Sequence, residues 1–326
     1  MSVISVDLQC VLKYAENLYR KAIFSENNCR QYNKTPILNL AARNNFRYYI
    51  AREILRSGNV REDEKQDIDK VIKEGKNGLN KVRRALLEVN ELPGEYLIVK
   101  TYRGFPRIPG DIDVLTEDIN ASILKLEQAG YYVRDYDQKE KSALLEKAQC
   151  ADIHLHHRVT WAWTYFMDND FVWEKPRISN LAGVEIPIPN PDADFLMHIA
   201  HINYEPLHIL LSELLYLFKL IPDVNIDRIK SEATRYRWDG VLLRTLNLFN
   251  DFHNIFFGCL CFSELPFRKV IKGEVEFPFF LSRGDLVKNV FEKRLFLYPL
   301  LKLGKVIKVL LSGDPYSGYY TPGELK

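Results

Sequence analysis

The hydrophobic pattern divides the chain into three stretches. In the first, apolar positions repeat at helical spacing: Val11, Ala15, Leu18 and Ala22 recur every three or four residues and form one face. A second helical run extends from Ile37 through Leu55 and ends at Gly58-Asn59. From Glu62 to Val89 a charged sequence carries Ile68, Val71, Ile72, Leu79, Val82 and Leu86, the pattern of one or two solvated surface helices. The period changes at Leu92-Pro93-Gly94. Tyr96-Leu97-Ile98-Val99 reads as a strand, 102 to 110 as a turn rich in Gly and Pro, and Asp111 to Leu115 as the next strand. Asp118 and Gly130 bracket a helix, Tyr131-Tyr132-Val133 is a strand, Lys139 to Lys147 a polar connection or short helix, and Cys150 to Val159 an alternating strand.

Beyond Ile186 a loop marked by Pro187, Pro189 and Pro191 leads into a third, helical stretch. Phe195 to Ile221 is expected as a helix divided or kinked at Pro206, and Ile226 to Phe252 as another. The fold class is therefore α+β: a small mixed sheet with helices packed on one face, flanked by helical regions. The expected divisions are 1–91, 92–190 and 191–326.

Composition adds limits. The 326 residues are 47% hydrophobic and 27% charged, which fits a globular chain with a large core. A net charge of +2 gives no global pull toward nucleic acid. No apolar run of about 18 residues is free of charge, so no membrane span is expected, and the most apolar stretch, Leu295 to Leu311, carries three lysines and is expected to pack on the helical region. The N-terminus lacks a basic segment followed by an apolar one, so no signal peptide is expected. The five scattered cysteines, Cys10, Cys29, Cys150, Cys259 and Cys261, read as reduced thiols of a cytoplasmic protein.

Candidate chemistry gathers in the middle stretch. In Asp111-Ile112-Asp113-Val114 strand alternation turns both carboxylates to one face, their Cα atoms roughly 6 to 7 Å apart. Two such carboxylates suit Mg²⁺, a hard ion that takes carboxylate and phosphate oxygens. In Ala151-Asp152-Ile153-His154-Leu155-His156 the polar residues again share a face, so a neighbouring strand would add Asp152 as a third acid, either to the metal site or as a base for an acceptor hydroxyl. His157 falls on the opposite face, which argues against a compact three-histidine zinc site. His198, His201 and His208 read as core or cleft-lining residues, Trp161, Trp163 and Trp173 as packing, and Arg228, Lys230, Arg235 and Arg237 as a solvated helix face.

Strand, turn, nine residues, Asp-Ile-Asp-Val, helix, strand and a third-acid strand follow in an order that resembles the DNA polymerase β-type nucleotidyltransferase superfamily. The likeness is closest to its minimal bacterial and archaeal members. Gly110-Asp111-Ile112-Asp113-Val114-Leu115 matches that family's double-acid signature, and Ala151-Asp152-Ile153-His154 is similar to its third-acid strand. Pro189 to Leu196, followed by His198 and His201, is similar to its post-core helix. The resemblance covers roughly 92 to 220 and implies transfer of a nucleoside monophosphate from a nucleoside triphosphate to an acceptor that is a small molecule, an RNA end or a protein hydroxyl. It further implies Mg²⁺, two ions with Mn²⁺ as the alternative, on Asp111, Asp113 and Asp152. Lys100 and Thr101 stand where the family has a small-residue pair. Thr101, Lys100, Arg103, Arg107 and His154 are the candidate nucleotide-binding residues. Lys in place of the family's Gly keeps a second reading open, a non-catalytic descendant that binds nucleotide or RNA.

Overall fold

A computed structural model describes residues 5–15, 34–58, 60–102, 108–138, 140–161, 164–204, 208–263, 265, 270–271 and 275–281. Arg103, Arg107, Trp163, Cys29 and Leu295 to Leu311 lie outside the described residues.

The N-terminal helices are α1 (Val6–Tyr14), α2 (Lys34–Arg43), α3 (Arg47–Arg56) and α4 (Glu62–Val89). The helix expected over 37–55 is divided at Asn44-Asn45-Phe46. Asn45 takes a left-handed φ of 58°, and the buried Asn44 amide donates to Leu40 O and accepts from Leu211 N. Asn tolerates the left-handed region better than most residues, which explains the break at this point. α4 is one unbroken helix whose buried stripe runs from Ile68 and Val71 through Gly75 to Val82, Ala85, Leu86 and Val89. Gly75 is required by contact: a Cβ there would lie 2.1 Å from the Tyr48 ring.

The sheet contains β1 (Tyr96–Ile98), β2 (Asp111–Thr116), β3 (Tyr132–Asp137), β4 (Ser142–Glu146) and β5 (Asp152–His156), in the order β1-β2-β5-β4-β3. Only β2 and β5 run parallel; the other neighbours are antiparallel. Between β2 and β3 lies α5 (Ile119–Gln128), capped by Asp118, whose carboxylate accepts from Ala121 N. The segment read as a polar connection over 139–147 is strand β4. Its inward Ala143 and Leu145 alternate with Ser142 and Leu144, a short pattern hidden between lysines.

The short pair β6 (Thr160–Trp161) and β7 (Thr164–Tyr165) and the helix α6 (Asn169–Trp173) precede a hairpin of β8 (Arg177–Leu181) and β9 (Val184–Ile188). The proline-marked loop expected from Ile186 is therefore partly strand; Pro187 sits in β9, and Ala182-Gly183 make the tight turn with φ of 52° and 81°. The C-terminal helices are α7 (Pro191–Tyr204), α8 (Leu211–Leu220), α9 (Ile226–Arg235) and α10 (Asp239–Phe257), with β10 (His208–Ile209) and β11 (Phe279–Phe280) forming a small pair. The division expected within 195–221 lies between α7 and α8, whereas the single helix expected over 226–252 is two, α9 and α10.

The molecule is α+β, a mixed five-stranded sheet with flanking helices. One sheet face, with Ile98, Ile112, Val114, Ala143, Leu145, Ile153 and Leu155, packs on α4, α5 and the β8–β9 hairpin. On the other face, Leu97, Val99 and Leu115 join a larger core shared by helices from both ends of the chain. Trp238 is fully buried there and donates its indole N–H to Phe166 O. No described helix is long and apolar enough to cross a membrane. Cys150, Cys259 and Cys261 are reduced thiols, but Cys10 is disulfide-bonded, which corrects the expectation of five reduced thiols.

Candidate functional site

The second face of the sheet is polar because β2 and β5 alternate in phase. In the parallel register Asp111 is the partner of Asp152, Asp113 of His154, and Leu115 of His156. Partners in a parallel pair lie about 4.8 Å apart and project to the same side. Asp111, Asp113, Asp152, His154 and His156 therefore share one face, and Leu115 closes it where the helical core begins.

A turn at the end of β1 brings in the candidate phosphate-binding pair. Val99 N donates to Asp113 O at 3.0 Å, and Thr101 N donates back to Val99 O at 2.5 Å, which closes a three-residue turn around Lys100. Lys100 has φ of 56°. A turn of this hand is strained for a side chain with a Cβ and suits glycine. Lys100 thus adopts the backbone conformation that glycine would favour. Thr101 is buried and its hydroxyl oxygen accepts from Asp113 N at 2.9 Å, so Thr101 fixes the start of the acid strand.

Asp113 is the centre of the site. Lys100 Nζ lies 3.1 Å from its Oδ1, His156 Nε2 3.0 Å and His154 Nδ1 3.7 Å from the same oxygen. Burial alone would raise the Asp113 pKa, but Lys100, the hydrogen bond from His156 and the neighbouring His154 together hold it well below the usual carboxylate range. His156 is pushed down to about 4, first by burial, against the opposing pull of Asp113. A neutral ring beside an ionised carboxylate must donate, so His156 carries its proton on Nε2.

Asp152 behaves differently. Burial and the adjacent Glu146 raise its pKa, opposed by Arg134 and Lys81. Glu146 is itself held low by Tyr132 and Arg134, both of which hydrogen-bond to it. Sequence reasoning did not include Glu146, Arg134 or Tyr132. Their strand neighbours were the missing information: Leu145 pairs with Ile153, which sets Glu146 beside Asp152.

The structure thus brings Asp111, Asp113, Asp152, His154, Lys100 and Thr101 to one place. Asp111, Asp113 and Asp152 carry the oxygen donors that Mg²⁺ prefers, but the three acids do not form a convergent donor group among the described residues. The tightest convergence of donor atoms among the described residues is another set, Asp113, His154 and His156, whose ligand atoms all lie within 4.8 Å of one another. His157 is not part of it. Two arginines of α9 make ion pairs with neighbouring elements, Arg228 with Asp192 at 3.2 Å and with Glu174, and the exposed Arg235 with Asp168 at 2.9 Å. Comparison with known proteins finds no matching family model, no matching curated protein and no matching solved structure.

Proposed function

We propose that the polar sheet face is a nucleotidyltransferase site, which transfers a nucleoside monophosphate from a nucleoside triphosphate to an acceptor hydroxyl. The observation that carries this reading is the register: Asp111 opposite Asp152 on adjacent parallel strands, with Asp113 next along the same face. Asp111 and Asp113 would hold Mg²⁺, with Asp152 either completing the metal site or serving as base; the ion when bound would neutralise phosphate charge and polarise the phosphoryl group. In the displacement the acceptor oxygen attacks the α-phosphorus, the bond from that phosphorus to the bridging oxygen breaks, and pyrophosphate leaves. The hydroxyl proton passes to a carboxylate. Asp152 suits that role, because burial and Glu146 raise its basicity above that of Asp113. Lys100 stands beside Asp113 where its ammonium can turn to phosphate oxygens.

A specific observation favours the second reading, a nucleotide-binding protein without chemistry. The Lys100 ammonium already lies 3.1 Å from Asp113, where it neutralises one of the carboxylates a metal would need. Titration calorimetry of ATP, CTP, GTP and UTP, with and without Mg²⁺, separates the two. Binding that requires Mg²⁺ and is lost in the Asp111→Ala/Asp113→Ala double variant supports the transferase. Metal-independent binding that survives the substitutions supports the binder. If none of the four nucleotides binds, neither reading stands.

A further inference from the structure

We propose that Asp113, His154 and His156 form a binding site for a divalent transition ion, distinct in donor chemistry from the Mg²⁺ site of the three acids. The proposal shares Asp113 with the transferase reading but rests on the convergence of the side chains alone. Two imidazoles and one carboxylate suit zinc and its neighbours, whereas Mg²⁺ and Ca²⁺ prefer an all-oxygen set. His154 Nδ1 and His156 Nε2 lie 3.7 and 3.0 Å from Asp113 Oδ1. Ligand atoms held about 2.1 Å from one zinc ion are separated by about 3.0 to 3.5 Å, so a small adjustment, with the His156 proton moved from Nε2 to Nδ1, brings all three onto one ion. The donors are rigidly presented: Asp113 lies on β2 and both histidines on β5, spaced two residues apart and facing the same side. Three protein ligands leave a fourth position for water or for an oxygen of a bound phosphate.

Lys100 explains how the site is balanced without an ion. Its ammonium, 3.1 Å from Asp113 Oδ1, is a tethered cation at the same carboxylate. An entering metal displaces that ammonium, so the metal and Lys100 compete for Asp113. Metal affinity is therefore set partly by a residue that does not ligate, and loss of the lysine charge tightens it.

The test is calorimetry of ZnCl₂ into the full chain, paired with visible spectra of the Co²⁺-loaded protein. Expected are binding of a single equivalent, Co²⁺ bands without thiolate charge transfer, and affinity lowered more than about 10-fold by His156→Gln or Asp113→Asn. Lys100→Met should tighten zinc binding. A gain of this kind cannot arise from misfolding, so it stands even where His156→Gln folds poorly. Asp111→Asn should leave zinc affinity unchanged while it weakens Mg²⁺-dependent nucleotide binding. Zinc binding without nucleotide binding would leave this site standing and remove the transferase reading; the reverse result would remove this site alone. Zinc affinity that ignores both His156→Gln and Lys100→Met, a thiolate band from the reduced cysteines, or absence of binding would overturn the proposal.

Discussion

Two clusters in this molecule are built from the same residue types and are arranged differently. On the sheet, Asp113 gathers Lys100, His154 and His156. In the helical core, Asp194 of α7 gathers Arg177 at 2.8 Å, the Tyr216 hydroxyl and His198, and His198 reaches on to Glu213 at 3.3 Å. The first set uses strand spacing, the second the i,i+4 spacing of a helix. The sheet histidines aim at one shared oxygen. The two ring nitrogens of His198 instead lie near two different carboxylates, Nε2 near Asp194 and Nδ1 near Glu213, so no single point receives all the donors. Access also differs: the His154 side chain is 32% exposed and that of His198 is 0%. Convergent donors, one of which meets solvent, are the geometry that a ligand site requires. When they form a chain and are sealed, the same groups are a structural network. The two meet at Tyr102, which packs on both cores and lies edge-on to the Tyr216 ring, with centroids 6.1 Å apart.

Substitution should separate the clusters, and the largest effect is expected in the sealed one. Asp194→Ala strands Arg177, Tyr216 and His198 around a buried void, and should lower stability by about 3 to 5 kcal/mol in urea titration. Asp113→Ala should cost less than half as much, because Lys100 and His154 can turn to water, and should instead remove ligand binding. Equal losses would dissolve the distinction. Next, Tyr216→Phe deletes a hydrogen bond to a buried carboxylate and should cost about 2 kcal/mol with ligand binding intact.

Acid should act on the same group. Burial would raise the Asp194 pKa, but the hydrogen bonds from His198 and Tyr216 and the charge of Arg177 leave it lowered. A carboxylate lowered on folding adds stability above its unfolded pKa, about 3.9, and that contribution fades as pH falls through the folded value. The acid limb of the stability profile should therefore be shallower in Asp194→Asn than in the wild type, as read by thermal unfolding between pH 5 and pH 2. The smallest effect is expected at Lys100→Gly, where relief of the left-handed backbone and loss of the ion pair oppose each other. The net change should stay below that of Asp194→Ala, while affinity for a divalent ion rises.

Alternation made half of the site legible in the sequence. Asp111 with Asp113, and Asp152 with His154 and His156, follow from a two-residue period. Their meeting did not, because nothing local states that β2 and β5 are parallel neighbours, or that Asp113 rather than Asp152 would be the point of convergence. Lys100 was legible as a departure from a small-residue pair but not as a left-handed turn residue, since its side chain disfavours the conformation that the Val99–Asp113 and Thr101–Asp113 hydrogen bonds impose. In the fold, helices were read as too long wherever a single left-handed residue, Asn45 or Arg237, divides an otherwise continuous pattern. Strands β4 and β9 were lost for the opposite reason: lysines and a proline obscured short alternations that tertiary pairing stabilises.

The 28 residues of α4 make a rod about 42 Å long. Its first half is set into the helical core through Ile68 and Val71, and its second into the sheet core through Val82, Ala85, Leu86 and Val89. Gly75, against the ring of Tyr48, lies between them. Such a rod is a splint across two compartments. Neither can loosen at its inner end without fraying a helix that the other holds in place, so the halves should exchange their amide protons as one unit. Loosening of one compartment is then felt in the other, and the acid-lined face beside the sheet should keep its shape for as long as the splint does.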